Sequence, residues 1–167
     1  QVDRLAAMVN DVLRSGSVAE QALLQEKRLR IDKLITEVVA DYTLLAKTRG
    51  MTFAVNTEPT TIRANRDMMR HVISNLVSNA VRHGDAGSVI KITCDQHELA
   101  IENACTPLTK QQLQHVFDPF YRSPGGMQHA SSSGIGLYTV KMLLDAKGLD
   151  YDFTPHGQGM RFVVRFG

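Results

Sequence analysis

Asn75-Leu76-Val77-Ser78-Asn79-Ala80-Val81-Arg82-His83 is the stretch whose reading decides the fold. As a helix it places Asn75 and Asn79 at i and i+4, with Arg82 and His83 three and four residues further on, so these side chains share one side of the rod. Met69, Val72, Leu76 and Ala80 form an apolar stripe beside them. One stripe anchors the helix in a core, while its neighbour offers two carboxamides, a guanidinium and an imidazole to a cleft. Those groups suit a magnesium-bound polyphosphate.

Outward from this helix the chain alternates helical and extended patterns. Asn65 supplies an N-cap and His83-Gly84 an end. Upstream, Ile31, Leu34, Ile35, Val38, Val39, Tyr42 and Leu45 recur at helical spacing over Ile31 to Arg49, and Gly50 stands where a C-terminal stop belongs. Met51 to Asn56 and Thr61 to Ala64 read as short strands around Glu58-Pro59. Downstream, Ile90, Ile92 and Cys94, then Leu99 and Ile101, alternate with more polar neighbours across a turn at Asp95-Gln96-His97. A short helical piece near Lys110 to His115 and a long Gly/Ser-containing segment follow, the length of which suits a lid or binding loop. Gly134 opens a helix with Leu137, Val140 and Leu144 on one face, ending at Lys147-Gly148. Tyr151 and Phe153, a Gly157-Gln158-Gly159 turn, and Met160, Phe162, Val164 and Phe166 alternating with Arg161, Val163 and Arg165 form a terminal hairpin with one face on the core. Helices interleaved with alternating strands give an α/β class: a two-layer α/β sandwich with a mixed, mostly antiparallel sheet and helices on one face.

At the N-terminal side, Val2, Leu5, Val9 and Val12 follow the spacing of a coiled-coil or bundle seam, and Ser15-Gly16-Ser17 interrupts it as a joint. Val18 to Arg30 reads as helical or as linker. The chain begins at Gln1 in mid-pattern, which is expected of an excised piece, any membrane anchor lying outside it. A formal charge of +2 on 167 residues is too small for a nucleic-acid footprint, so no nucleic-acid partner is expected. No apolar run approaches the roughly 20 residues needed to cross a bilayer. Cys94 and Cys105 come without a spaced Cys/His cluster and are expected as reduced thiols.

Four separated pieces carry the chemistry: the Asn75–His83 face, Ile101-Glu102-Asn103-Ala104, Phe117-Asp118-Pro119-Phe120-Tyr121-Arg122, and Ser133-Gly134-Ile135-Gly136-Leu137. In this order they resemble the N, G1, F and G2 boxes of the ATP-binding domain of bacterial two-component sensor histidine kinases, in the superfamily shared with type II topoisomerase ATPases and some chaperones. The resemblance covers roughly Ile31 to Gly167. It implies a Bergerat-type ATP-binding fold with an ATP lid between the F and G2 boxes. It also implies three regions: 1–16 as the end of the dimerisation helix hairpin, 17–30 as linker, and 31–167 as the kinase domain.

The implied cofactors are ATP and Mg²⁺. Carboxamide oxygens are hard ligands for Mg²⁺, which takes one or two protein groups besides phosphate and water; Asn79 is the first choice of ligand and Asn75 stands adjacent to the ion or its waters. Arg82 is placed to meet a phosphate as a charged donor. By the resemblance, His83 lies beside the base, Asn103 faces the adenine amino group, and Gly134, Ile135, Gly136 and Leu137 line the phosphates. Glycines there allow close backbone approach at a helix N-terminus. Arg122 is the implied catalytic residue, an arginine that approaches the terminal phosphate and offsets its developing charge. Phe117 and Phe120 read as apolar anchors for the lid.

Two departures from the family pattern stand out. Asn103 occupies the place of an aspartate, followed by Ala104-Cys105-Thr106-Pro107 rather than glycines, and Ser132 replaces the first G2 glycine. His97-Glu98 matches the acceptor dipeptide but sits in a strand turn, so the phosphoacceptor histidine is expected on a dimerisation domain before Gln1. The implied function is donation of the γ-phosphoryl group to that histidine, for relay to a response regulator. The implied whole is a homodimer, the fragment itself being monomeric, and a cytoplasmic domain of a membrane-anchored sensor. The alternatives are a degenerate nucleotide-binding or interaction module with little kinase activity, motivated by Asn103, and an ATPase switch, which the absence of a glutamate on the Asn75 helix disfavours.

Overall fold

A computed structural model describes residues 25–121 and 136–167. The elements in chain order are β1 (Lys27–Arg30), α1 (Ile31–Thr48), β2 (Thr52–Thr57), β3 (Thr61–Ala64), α2 (Arg66–His83), β4 (Val89–Cys94), β5 (Glu98–Ala104), α3 (Lys110–His115), α4 (Gly136–Lys147), β6 (Tyr151–His156) and β7 (Gly159–Arg165).

Five strands form the main sheet in the order β2-β4-β5-β7-β6. β2 and β4 run parallel and every other pair is antiparallel. This is the expected mixed, mostly antiparallel sheet. One face carries Ile90, Ile92, Leu99, Ile101, Phe162 and Val164, which join the apolar sides of α1, α2 and α4 in a single core. Burial of that face supplies the main favourable term for folding.

The opposite face is charged but not simply solvated. Arg161 pairs with Glu98 at 3.1 Å, His156 with Glu102 at 3.1 Å and Arg165 with Asp152 at 2.7 Å. Ala100 and Val163 are register partners on this face, and both are buried. Alternation read Val163 as solvent-facing; it is buried instead, in a strand flanked on both sides, opposite Ala100 of β5 and Asp152 of β6.

Both site helices end where the local chemistry says they should. Gly50 takes φ +66, the Met51 N–H bonds to the Ala46 carbonyl at 2.9 Å, and the Gly50 N–H bonds to that of Lys47 at 3.0 Å, the Schellman arrangement that satisfies the last carbonyls of α1. Asn65 Oδ1 accepts from the Met68 N–H at 3.0 Å and caps α2. α2 buries more than one stripe: Met68, Met69, Val72, Ile73, Leu76, Val77, Ala80 and Val81 are all covered.

Lys27–Arg30, read within a helical or linker stretch, is a strand that pairs antiparallel with β3. A four-residue run with three cations carries no apolar alternation beyond Leu29, and the pairing partner lies more than thirty residues away, with Lys27 opposite Ala64. The turn into α1 is fixed by Asp32. Its carboxylate accepts from Arg30 Nε at 2.8 Å, Arg30 Nη2 at 2.7 Å and the Thr60 N–H at 3.0 Å.

The Arg30 guanidinium, helped by the Thr60 N–H, holds the Asp32 carboxyl well below the usual carboxylate range. A depressed folded pKa contributes stability that is complete above the unfolded value of about 3.9 and is lost as pH falls below it. Asp32→Asn is expected to destabilise the domain by about 1–2 kcal/mol at neutral pH, a charged hydrogen-bond loss with one partner at the surface. In urea unfolding the gap between the two proteins should narrow at pH 3; an unchanged or wider gap would contradict the assignment.

Candidate functional site

The polar side of α2 forms one wall of a cleft because its other sides are committed to the core. Asn75, Ser78, Asn79 and Arg82 are half-buried along it, and His83 is exposed in the last turn. Arg82 Nε donates to Ser78 Oγ at 2.9 Å, one turn back along the helix. Among the described residues neither Asn75 nor Asn79 makes a side-chain hydrogen bond, so their amide groups are available to a ligand.

At the Asn75 end the facing element is the start of α4. A Cβ built on Gly136 would stand 3.7 Å from Asn75 Oδ1, so the first turn of α4 and the first carboxamide approach each other directly. Helix N-termini present free N–H groups and the positive end of the dipole. This end of the cleft favours an anion. Leu137, one residue on, is partly buried against the core.

The far end is built differently. Gly84 ends α2 in extended backbone, and a Cβ there would lie 2.6 Å from the Ala80 carbonyl oxygen, 2.7 Å from Met51 Cε and 3.5 Å from Asn103 Cβ. Close approach, not φ, is what requires glycine. Asn103 follows Leu99 and Ile101 on the helix-facing side of β5 by strand alternation. The Asp85 N–H then bonds to the Ala104 carbonyl at 2.7 Å and pins the end of α2 to the end of β5. Cys105 stands two residues beyond Asn103, and its thiol pKa is raised by burial and then by the charge of Asp85. Both cysteines are free; Cys94 is buried, and burial pushes its thiol up to about 11.

Arg49 was not singled out from the sequence, yet it fastens this wall. Its Nη1 donates to the Val81 and Arg82 carbonyls, the latter at 3.2 Å, and approaches Met51 Sδ at 3.6 Å. A cation at a helix C-terminus both satisfies last-turn carbonyls and complements the dipole. The Gly87 N–H returns to the Arg49 carbonyl at 2.9 Å. Nothing local marks Arg49 for this, since its partners are 32 and 33 residues away.

In the aromatic run, Phe117 is an anchor as expected: it packs edge-on against Tyr151 at 5.6 Å and Phe162 at 6.2 Å between ring centroids. Phe120 is not. It is 44% exposed and holds φ +66, a strained setting for a bulky residue. Arg122, Gly134 and Ile135 lie outside the described residues, as do the 1–16 seam and the Ser131-Ser132-Ser133 run.

Among the described residues no group of three His, Cys, Asp or Glu side chains could hold a metal. Asn75 and Asn79 offer carboxamide oxygens, hard donors that fit a Mg²⁺ ion that takes few protein ligands. No helix of the described residues is long and apolar enough to cross a membrane.

Known proteins resemble this chain in sequence and in fold. A family model described as "Histidine kinase-, DNA gyrase B-, and HSP90-like ATPase" matches residues 64–167. The sensor histidine protein kinase HK06 of Streptococcus pneumoniae is 31% identical over 165 residues, 98% of this chain and 37% of that protein. The sensor histidine kinase CusS of Escherichia coli is 31% identical over 170 residues, 98% of this chain and 35% of that protein. The chain thus spans little more than a third of these relatives. In fold it resembles the catalytic domain of histidine kinase ThkA, with a TM-score of 0.75 at 20% identity over 85% of this chain and 95% of that one. A second neighbour is a structure of ThkA in complex with response regulator protein TrrA, with a TM-score of 0.75 at 19% identity over 99% of this chain and 47% of that one.

Proposed function

Because the chain belongs to the histidine kinase-, DNA gyrase B- and HSP90-like ATPase family, we propose that it binds Mg-ATP in the α2 cleft and donates the γ-phosphoryl group to a histidine of a dimerisation domain. The observation that carries this reading is the pair of carboxamides one turn apart on α2, a helix otherwise committed to the core, with Asn75 Oδ1 facing the start of α4.

In this reading Asn79 supplies an oxygen to the metal, and Asn75 holds the ion's water or a phosphate oxygen. A bound Mg²⁺ would neutralise charge on the β- and γ-phosphates. Arg82 meets a phosphate, Gly134, Ile135, Gly136 and Leu137 let backbone approach the phosphate chain, and Arg122 stabilises the γ-phosphoryl group in transit. His83 and Asn103 face the base. The P–O bond to the β-phosphate breaks as the acceptor imidazole nitrogen bonds to phosphorus, and ADP leaves. The phosphoryl group then passes to an aspartate of a response regulator, a partner class found on ThkA, and the intact protein is a homodimeric, membrane-anchored sensor with this domain in the cytoplasm. Residues 1–16 belong to its dimerisation hairpin and the residues that follow lead from it to the domain, which takes in β1 as well as 31–167.

Calorimetric titration of the chain with a non-hydrolysable ATP analogue, with and without Mg²⁺, tests the binding step. Micromolar binding that weakens at least about tenfold on chelation, or 1.4 kcal/mol, is expected. Absence of binding in both conditions would overturn the reading in favour of an interaction module.

A further inference from the structure

The cleft has two chemically distinct ends, and the second carries an inference about which nucleotides enter. From Asn75 to Gly84 the α2 axis advances about 13 Å at roughly 1.5 Å per residue, enough to lay out a nucleotide from phosphate to base. The Asn75 end faces the start of α4 and suits the anionic chain. The other end holds Asn103 beside Gly84, with Met51 against Gly84 and Met160 in register with Asn103. An amide set among apolar and sulfur-bearing side chains suits a flat heterocycle. This orientation rests on the nucleotide reading above.

The group offered to the base is a carboxamide, and that changes what it can recognise. An ionised carboxylate only accepts, so it would take the 6-amino group of adenine and repel the 6-oxo group of guanine. A carboxamide both accepts and donates. With Oδ1 turned to position 6, it accepts from the adenine amino group while Nδ2 donates to N1. Turned over, Nδ2 donates to the guanine carbonyl while Oδ1 accepts from the N1–H. Both pairings are bidentate at positions 1 and 6 of the base.

We propose that the Asn103 end of this cleft is a purine site tolerant at position 6, taking guanine as well as adenine nucleotides, with Asn103 as the residue that sets the breadth. A site whose polar group is left unpaired by the wrong ligand discriminates by orders of magnitude, whereas one that pairs with both does not.

Titration of the chain with Mg-ADP and Mg-GDP reads this directly. For the wild-type sequence the two dissociation constants are expected within about tenfold of each other. In Asn103→Asp the ratio should widen to about 100-fold or more, through weaker GDP binding with ADP binding kept. Wild-type protein that binds ADP but rejects GDP by about 100-fold would overturn this proposal alone. Wild-type protein that binds neither would overturn the nucleotide reading with it. The wild-type ratio decides even if the variant fails to fold.

Discussion

Asn79→Ala is expected to weaken binding of a magnesium-bound, non-hydrolysable ATP analogue by about 100-fold, or 2.7 kcal/mol, with the fold intact. Asn79 is half-buried on the polar side of α2 and takes no part in the core cluster. Alanine is the better helix former by about 0.5 kcal/mol or so, so α2 itself is not weakened. What the substitution removes is one of the few protein oxygens that a Mg²⁺ ion would accept. The effect must accordingly depend on the metal. Without Mg²⁺ the two proteins should bind alike, and Asn79→Asp, which restores a hard oxygen, should recover most of the affinity in its presence. Calorimetry at fixed ionic strength with the three proteins checks both parts. Metal-dependent binding by Asn79→Ala within threefold of the wild type, about 0.7 kcal/mol, would remove Asn79 from the coordination shell.

The cleft was legible in the sequence to the extent that its parts are local. α1 and α2 announce themselves by apolar periodicity and by stop and cap residues, Gly50 and Asn65, whose roles are fulfilled within a few residues of themselves. The alternation of β4 and β5 likewise assigns Ile92 and Ile101 to one face before any partner is known. What stayed hidden is whatever depends on a distant backbone. β1 becomes a strand only because β3 offers it an edge, Val163 is buried in a strand that β5 and β6 flank, and Arg49 becomes a clamp only when the end of α2 arrives beside it. Phe120 shows the opposite failure. Its composition says core, but a backbone at φ +66 turns it outward. The Asn103 end of the site belongs to this second class, since its neighbours Gly84 and Met160 come from other elements.

Gly159→Ala should therefore damage the site from a position no motif includes. Gly159 opens β7 and pairs with Ala104 on one side and His156 on the other. A Cβ there would stand 1.9 Å from the Asn103 carbonyl oxygen, 2.8 Å from its carbon and 2.9 Å from Ala104 Cα. All three obstacles are backbone, so no rotamer change relieves the overlap; the end of the β5–β7 ladder must open. Against that, alanine gains roughly 0.4–1 kcal/mol by restricting the unfolded chain. Losing about two ladder hydrogen bonds and the packing behind them outweighs it, for a net loss of about 2–3 kcal/mol. For a chain of this size that lowers the melting temperature by about 4–12 °C. Gly136→Ala is the control, because among the described residues its Cβ would meet only Asn75 Oδ1, at an ordinary 3.7 Å, and the fold should keep its stability. The two variants should also divide the site between them. Opening the ladder at Asn103 moves the base wall and should weaken ADP binding while sparing Mg-pyrophosphate, whereas a methyl at Gly136 crowds the anion end and should weaken both. A melting temperature for Gly159→Ala within about 2 °C of the wild type, under 1 kcal/mol, would mean that the strand end yields freely, and the base wall could not then be the rigid element this geometry describes.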